Sequence, residues 1–529
     1  MALPQPLHIF QKDLRHLLPE TLVTLFFFAA FAYCASYDSS QSDFGPFVPI
    51  IGFALRIFMP ITWLVVISRL IQDEPLVGDR QFWTSRPYHW ANLLAAKLLY
   101  LAVFLYLPFL LMQVYLLKHA GLYPSTAVGP LLHNLLLLSV FIVVPIAVIS
   151  AVTSSFVWVL LSMLGGVVYC AICWFIVFYL KLRYLIPPTL EPYLYTIMLL
   201  LPLAVLVFQY ARRRTLPARL LLLATPLIVM LIVLSIPSAA MIRQAYPEPA
   251  KDAKDLPKLD ELPQQYQPKQ PEPGNLDTRR KGIEVTLPFT VANVDKESNY
   301  VIDGAQTTIT APGLKWTSHY ESGHLPLTPP QQINAGSPFA FIRVLVPVEV
   351  FDKLRLLPSD VHLSLATDHF KADPVETWKA TAGSFSVPGN GVCTFDKVNA
   401  AAPPICRYPF KSPELNVVTA NVTQGSCASD APRTPARMRL EGKPAGLDFD
   451  PVVPVELNFP RAQQDPRSRP EPQIVCPGTP LEFVEAKSVG RVRFELDERG
   501  LLLNNYATRI EAPAAAPAAA PAAPKQDPQ

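Results

Sequence analysis

The sequence predicts a polytopic α-helical membrane domain of six to seven spans, followed by a mostly β extracytoplasmic domain. Three observations carry this reading. Hydrophobic residues make up 50% of the 529 residues and charged residues only 16%, with a mean hydropathy of +0.26. A soluble surface carries more charge than that. The first 245 residues hold all the long apolar runs, with 15 Lys+Arg and 8 Asp+Glu against 30 and 34 in the remainder. Prolines divide 19 to 37 at the same point, and the second part alternates short β-like runs with proline-rich turns. The net charge of +3 gives no reason to expect a nucleic-acid partner.

Residues 1–20 read as an interfacial amphipathic helix. Leu7, Phe10, Leu14, Leu17 and Leu18 form one apolar stripe at helical spacing, and Lys12, Asp13, Arg15 and His16 fill the gaps. Pro19 marks the turn into the membrane domain, residues 21–244. Seven apolar runs follow, at 21–37, 48–68, 91–117, 131–152, 156–180, 191–210 and 220–242. Each is near or above the length that crosses about 30 Å of hydrocarbon. Only Thr153, Ser154 and Ser155 separate the fourth from the fifth, which is why the count is six to seven. Pro60, Pro108, Pro145, Pro202, Pro226 and Pro237 fall within these runs. Membrane helices tolerate proline when neighbours or local backbone shifts satisfy the freed carbonyl.

Loop charge sets the orientation. Lys12 and Arg15 precede the first span, and Asp38 and Asp43 follow it without a cation. Arg69, Arg80, Arg86 and Lys97 surround the second loop, and Arg212, Arg213, Arg214 and Arg219 the sixth. These place the N-terminus in the cytoplasm of a bacterial inner membrane. Lys181 and Arg183 in loop five run against the pattern but are outweighed. Seven crossings then put the C-terminal domain outside. Four cysteines, Cys393, Cys406, Cys427 and Cys476, lie in that domain and are candidates for disulfides in an oxidising compartment. Sequence does not choose among their three pairings. Cys34, Cys170 and Cys173 sit in apolar runs as packing residues. Arg56 lies about eight residues into the second span, where a lipid-facing arginine is costly. It either faces a pathway or dimer interface or snorkels to the outer headgroups.

Residues 245–280, rich in Pro, Lys, Gln, Asp and Glu, read as a tether. Residues 281–511 read as the β-rich domain, with strands expected near 283–291, 341–350, 361–365, 415–418, 453–459 and 491–496. Pro347 argues that its strand lies at an edge or carries a bulge. Val492, Phe494 and Leu496 are expected to share one face, and Asn390-Gly391 to form a tight turn. A β-sandwich or similar fold accommodates this pattern. Residues 512–529 are a disordered Ala/Pro-rich tail. The dispersed histidines lack ligand spacing, so no metal site is expected. No catalytic constellation stands out, and no G-x-x-x-x-G-K-[ST] loop occurs, so the chain is read as a non-enzyme that binds no cofactor of its own.

The segment from Asp73 to Lys97 concentrates charge, aromatics, Gly78 and Pro87 between the second and third spans. Glu74, Gly78, Phe82-Trp83, Arg86-Pro87 and Leu93-Leu94-Ala95-Ala96-Lys97 resemble the pattern of ABC-2 type transporter membrane subunits at this place. Gln11-Lys12-Asp13-Leu14-Arg15 resembles their opening, and the likeness covers roughly residues 7–210. The resemblance implies six spans per subunit, a homodimer or a pair with a related permease, and two cytosolic ABC ATPase subunits that supply ATP hydrolysis. It implies that Glu74 and Arg86 make charged contacts to the ATPase, that Phe82 and Trp83 pack on it, and that Gly78, Pro87 and Lys97 belong to the same coupling segment. The seventh span and the large external domain depart from the family. The apolar spans permit a lipid-like or otherwise hydrophobic cargo. The alternative function is a membrane-anchored sensor or assembly platform, whose external β domain binds a protein or an envelope component.

Overall fold

The computed structural model describes residues 5–36, 47–74, 90–181, 190–212, 214–235, 238–249, 258–260, 282–292, 298–327, 340–372, 376–379, 384–387, 391–394, 405–409, 416–422, 436–440, 447, 449–456 and 480–507. The chain divides into two compact units. One comprises residues 1–182, 186–237 and 370–489, the other 183–185, 238–369 and 490–529.

The first unit contains the long apolar helices. A short helix, α1 (Gln5–His16), breaks at Leu17 and is followed by α2 (Leu18–Ser36), which has Pro19 in its first turn, where a missing N–H costs nothing. Then come α3 (Phe47–Gln72), α4 (Trp90–His119), α5 (Val128–Val152), α6 (Phe156–Lys181), α7 (Leu190–Arg212) and α8 (Thr215–Ser235). Among the described residues, seven helices, α2 to α8, are long and apolar enough to cross a membrane. The fourth and fifth spans are separate helices, with α5 ending at Val152 and α6 starting at Phe156. The seventh starts at Thr215 rather than 220 and is described to Ser235, and residues 238–242 of the expected run lie in the helix Ser238–Ala245. Pro217 suits a first turn.

Two spans absorb their prolines by widening. α4 contains a π-helical turn at Ala102–Tyr106 and α5 one at Ser139–Val143. A proline ring clashes with the carbonyl four residues back. For Pro108 that residue is Phe104 and for Pro145 it is Phe141, each inside its π turn. The N–H of Leu107 accordingly bonds the carbonyl of Ala102, and that of Val144 the carbonyl of Ser139, five residues back in each case. The two turns meet: the Tyr106 hydroxyl lies 2.7 Å from Ser139 Oγ, which itself donates to the Leu135 carbonyl at 2.8 Å.

The first unit also holds β8 (Glu376–Lys379), β9 (Ser384–Val387), β10 (Gly391–Thr394), β11 (Ile405–Pro409), β12 (Asn416–Val422), β13 (Ala436–Leu440), β14 (Val452–Glu456) and the first half of β15 (Pro480–Leu502). Strands β14, β11, β10 and β9 form a four-stranded antiparallel sheet in that order. Gly391 pairs with Val387, so residues 388–390 join β9 to β10, and Asn390 of the expected turn lies outside the described residues.

The second unit is a β-sandwich. One sheet runs β1 (Lys258–Asp260), β2 (Gly282–Ala292), β6 (Ala340–Pro347). Its partner includes the second half of β15, then β7 (Pro358–Ala372), β3 (Ser298–Ala311) and β4 (Leu314–Thr317), with β5 (Glu321–Leu327) also on β3. Alternate residues face the core: Val285 and Leu287, Ile342, Val344 and Val346, Val361, Leu363 and Leu365, and Phe494 and Leu496, with Val492 packed against them. β6 is an edge strand, as Pro347 requires, and the chain then turns into helix α10 (Val348–Leu354), which had been expected to continue the strand. Pro347 ends the ladder because it has no N–H to donate.

Helix α9 (Ser238–Ala245) is strapped to this sandwich. Ile242, Ala245 and Tyr246 pack on Tyr320 and Ala366. The Tyr246 hydroxyl donates to Asp303 Oδ2 at 2.9 Å, and the Arg493 amide donates to the Pro247 carbonyl at 2.9 Å. Residues 245–247 of the expected tether are therefore part of the folded unit.

Candidate functional site

The polar residues of the membrane half collect around one buried lysine. Lys97 is the eighth residue of α4, about 11 Å along the helix from its start. It is 3% exposed. An unpaired cation at depth in a span costs about 2.5–3.5 kcal/mol on insertion scales, and here it is paired twice. Its ammonium donates to Asp13 Oδ2 of α1 at 2.8 Å and lies 3.3 Å from Glu74 Oε2, just beyond α3. Lys12 closes the cluster from the rim, donating to Glu74 Oε1 at 2.7 Å. Asp13 is 0% exposed and Glu74 5%. Two cations and two anions balance.

Helix electrostatics explain why these charges need one another. Asp73 and Glu74 follow the C-terminus of α3, where the exposed carbonyls disfavour carboxylates. Lys97, nearly two turns into α4, lies beyond the first-turn reach of that helix's own amides and supplies a cation beside Glu74. Bringing them together offsets the mismatch at the end of α3. Burial holds the Asp13 carboxyl above its ordinary value, against the opposing pull of Lys97. Burial pushes Glu74 upward too, but Lys97 and Lys12 together outweigh it and leave that carboxyl below its ordinary value.

Further contacts tie α1 and the start of α2 to the same place. His16 Nε2 lies 3.3 Å from Asp73 Oδ2, Arg69 pairs with Glu20, and Asn92 bonds Gln5. Phe10 stacks on Phe104 at 6.0 Å and meets the edge of Tyr100 at 6.2 Å. The buried face of α1 is thus Ile9, Asp13 and Leu17, flanked by Phe10 and Leu14, while Leu7 and Leu18 are exposed. The expected apolar stripe is shifted by about one residue, and a carboxylate lies at its centre.

Other helix ends join this face. Ser150 Oγ donates to Ser68 Oγ at 3.1 Å. Arg219 Nη2 and Nε donate to the Val152 carbonyl at 2.8 and 3.1 Å, capping α5. The ends of α3 and α5 and the starts of α4 and α8 therefore lie together, as alternating crossings require.

A second feature lies deeper in the bundle. Phe28, Trp63 and Phe109 pack ring to ring at 5.6–6.3 Å. Phe449, from the β-rich half of the sequence, enters this aromatic layer. Its ring lies 5.6 Å from Trp63, 6.3 Å from Phe109 and 6.4 Å from Phe31, at steep edge-on angles. Leu447 packs on the same core, and Val452 on the cluster of Leu117, Leu122 and Leu131 at the opposite end of α4 from Lys97. Phe109 lies about 15 Å along α4 from His119, so Phe449 penetrates well into the bundle.

Of the expected coupling residues, Glu74 and Lys97 come together in the charge cluster. Glu74 is engaged internally rather than presented at a surface. Gly78, Phe82, Trp83, Arg86 and Pro87 lie outside the described residues, between those two ends. Arg56 is on an exposed face of α3, its guanidinium 5.9 Å from the centre of the Phe31 ring. Cys393 and Cys406 are opposite each other on β10 and β11, and Cys427 and Cys476 lie outside the described residues. Sequence reasoning missed Asp13 as a site residue, although an acid within an apolar helical stripe was a visible signal. It missed Phe449 as well, and local pattern holds no signal for a contact so distant in sequence.

Comparison of the chain with protein-family models, curated proteins and solved structures returns no match. Fold and composition define the class: a polytopic α-helical membrane protein with a β-rich domain following its seven spans.

Proposed function

We propose that this chain is the membrane subunit of an ATP-driven ABC transporter, with hydrolysis supplied by a separate cytosolic ATPase. The observation that carries the reading is the Lys97 bridge. It pins both ends of the 75–89 segment, Glu74 on one side and Lys97 on the other, to Asp13 of α1. A partner that pushes on the segment loads α1 and the adjoining ends of α3 and α4 at once. Phe82, Trp83 and Arg86 of the segment supply the aromatic and charged side chains that docking on an ATPase would use, and Gly78 and Pro87 belong to the same segment. The cationic residues of this face, among them Lys12, Arg15, Arg69, Arg212 and Arg219, favour the cytoplasm as its compartment.

Phe449 supports a gating role for the C-terminal half. It fills the aromatic layer from the face opposite the charge cluster. ATP-driven tilting of α3 and α4 would separate Trp63 from Phe109 and release the ring, opening an apolar path suited to a hydrophobic cargo. The π turns of α4 and α5 lie between the two levels and supply places where the helices bend.

The test is mild-detergent purification of the native chain beside a Phe82→Ala/Trp83→Ala variant, with copurifying subunits identified by mass spectrometry. The proposal expects a stoichiometric ABC ATPase with the native chain and its loss from the variant. A folded chain that retains other β-domain partners but no ATPase would contradict transport and favour the assembly platform.

A further inference from the structure

We infer that Cys393 and Cys406 form a cross-strand disulfide that staples the four-stranded sheet of the first unit. The inference rests on register. β10 and β11 are antiparallel, with Cys393 directly opposite Cys406 and Thr394 opposite Ile405. Directly opposed residues of an antiparallel pair project from the same face. Their Cα atoms stand about 4.5 or 5.5 Å apart, according to the type of pair. Both spacings fall within the roughly 4.4–6.8 Å that a disulfide spans. A slip of one residue would put the two on opposite faces and abolish the match. Neighbours on both sides hold the register: Phe385 of β9 pairs with Cys393, and Val455 of β14 pairs with Cys406.

The pairing resolves an ambiguity that cysteine count leaves open, since four cysteines allow three connectivities. It also has a place in the fold. β11 pairs with β14 as well as with β10, and β14 begins at Val452, three residues after Phe449. A covalent link between the two central strands fixes the sheet from which the Phe449 segment reaches the helices. Formation follows ordinary exchange chemistry. One thiolate attacks the disulfide of a donor oxidoreductase, and the second displaces the donor from the mixed disulfide. One Sγ–Sγ bond forms, the donor disulfide breaks, and the two thiol protons end on the donor's dithiol.

The experiment uses the full chain, with thiols blocked by N-ethylmaleimide at lysis and peptides mapped without reduction. The expected result is one linked peptide pair containing Cys393 and Cys406, separated by dithiothreitol, with neither residue alkylated before reduction. Both residues alkylated by N-ethylmaleimide, or either linked to Cys427 or Cys476, would overturn the inference. Single variants supply a second readout. Cys393→Ser frees Cys406 for maleimide labelling, and Cys406→Ser frees Cys393, each adding one label to the non-reduced chain. No added label in either variant would show that the two were never joined. These readouts do not depend on an ATPase, so they fail or succeed apart from the transport reading.

Discussion

At the scale of single residues, the cluster of Asp13, Glu74, Lys97 and Lys12 makes the sharpest predictions. Lys97→Ala leaves two buried carboxylates with only the half-exposed Lys12 between them. Removing one partner of a buried ion pair costs about 3–5 kcal/mol. Thermal unfolding in detergent should show a large loss for Lys97→Ala and a small one for Lys97→Arg; equal stabilities would remove the cluster from the account. The two acids answer to pH in opposite senses. Asp13, with its folded pKa raised, binds its proton first in the folded chain, so its contribution to stability grows as pH falls from neutral through that value. Glu74, with its folded pKa lowered, contributes stability at neutral pH that is lost only below the ordinary glutamate range. Unfolding series on Asp13→Asn and Glu74→Gln should therefore show the Asp13 deficit growing as pH falls from neutral, while the Glu74 deficit holds until pH drops below the ordinary glutamate range. Parallel curves would show that the shifts are misassigned. Glu74 and Lys97 were legible as site residues because they frame a segment of unusual composition. Asp13 was legible only as a charge, since its burial depends on where α1 packs.

At the scale of elements, hydropathy and length were enough to read the spans, because a helix apolar all round has few other places to go. The seventh starts ahead of its apolar run, with Pro217 in its first turn. The π turns were foreshadowed by Pro108 and Pro145, but nothing in the sequence placed Tyr106 against Ser139. That bond joins the two irregular turns, and a double-mutant cycle on Tyr106→Phe and Ser139→Ala measures it. Hydrogen bonds between membrane helices average about 0.6 kcal/mol and reach about 1.7. A coupling in that range is expected, and zero coupling would mean that the π turns move independently. Among the strands, Val492, Phe494 and Leu496 share one face as alternation predicted. The helix after Pro347 was missed because Val348-Glu-Val continues the strand-like pattern through the residue that breaks it.

At the scale of the whole molecule, seven helices long and apolar enough to cross a membrane separate the α1 cluster from the chain beyond Ser235 in sequence. Within the first unit, Phe449 meets the helices at the level of Phe109, about 18 Å along α4 from Lys97. Long-range placement of this kind is invisible to periodicity, which reports the face of an element but not its partner. With Phe449→Cys, a membrane-impermeant maleimide should react at least tenfold more slowly than with Leu356→Cys, which replaces a 70% exposed side chain on the sandwich. Equal rates would show that the aromatic layer is not sealed by this segment. The central proposal is that the Lys97 bridge transmits force between the 75–89 segment, proposed to dock an ATPase, and the spans. The most direct measurement is ATP hydrolysis by the copurified complex in lipid nanodiscs, comparing native, Lys97→Gln and Lys97→Arg chains at a temperature where all three remain assembled. The account predicts a fall of tenfold or more for Lys97→Gln, with Lys97→Arg restoring most of the rate. Native hydrolysis in an intact Lys97→Gln complex would contradict it.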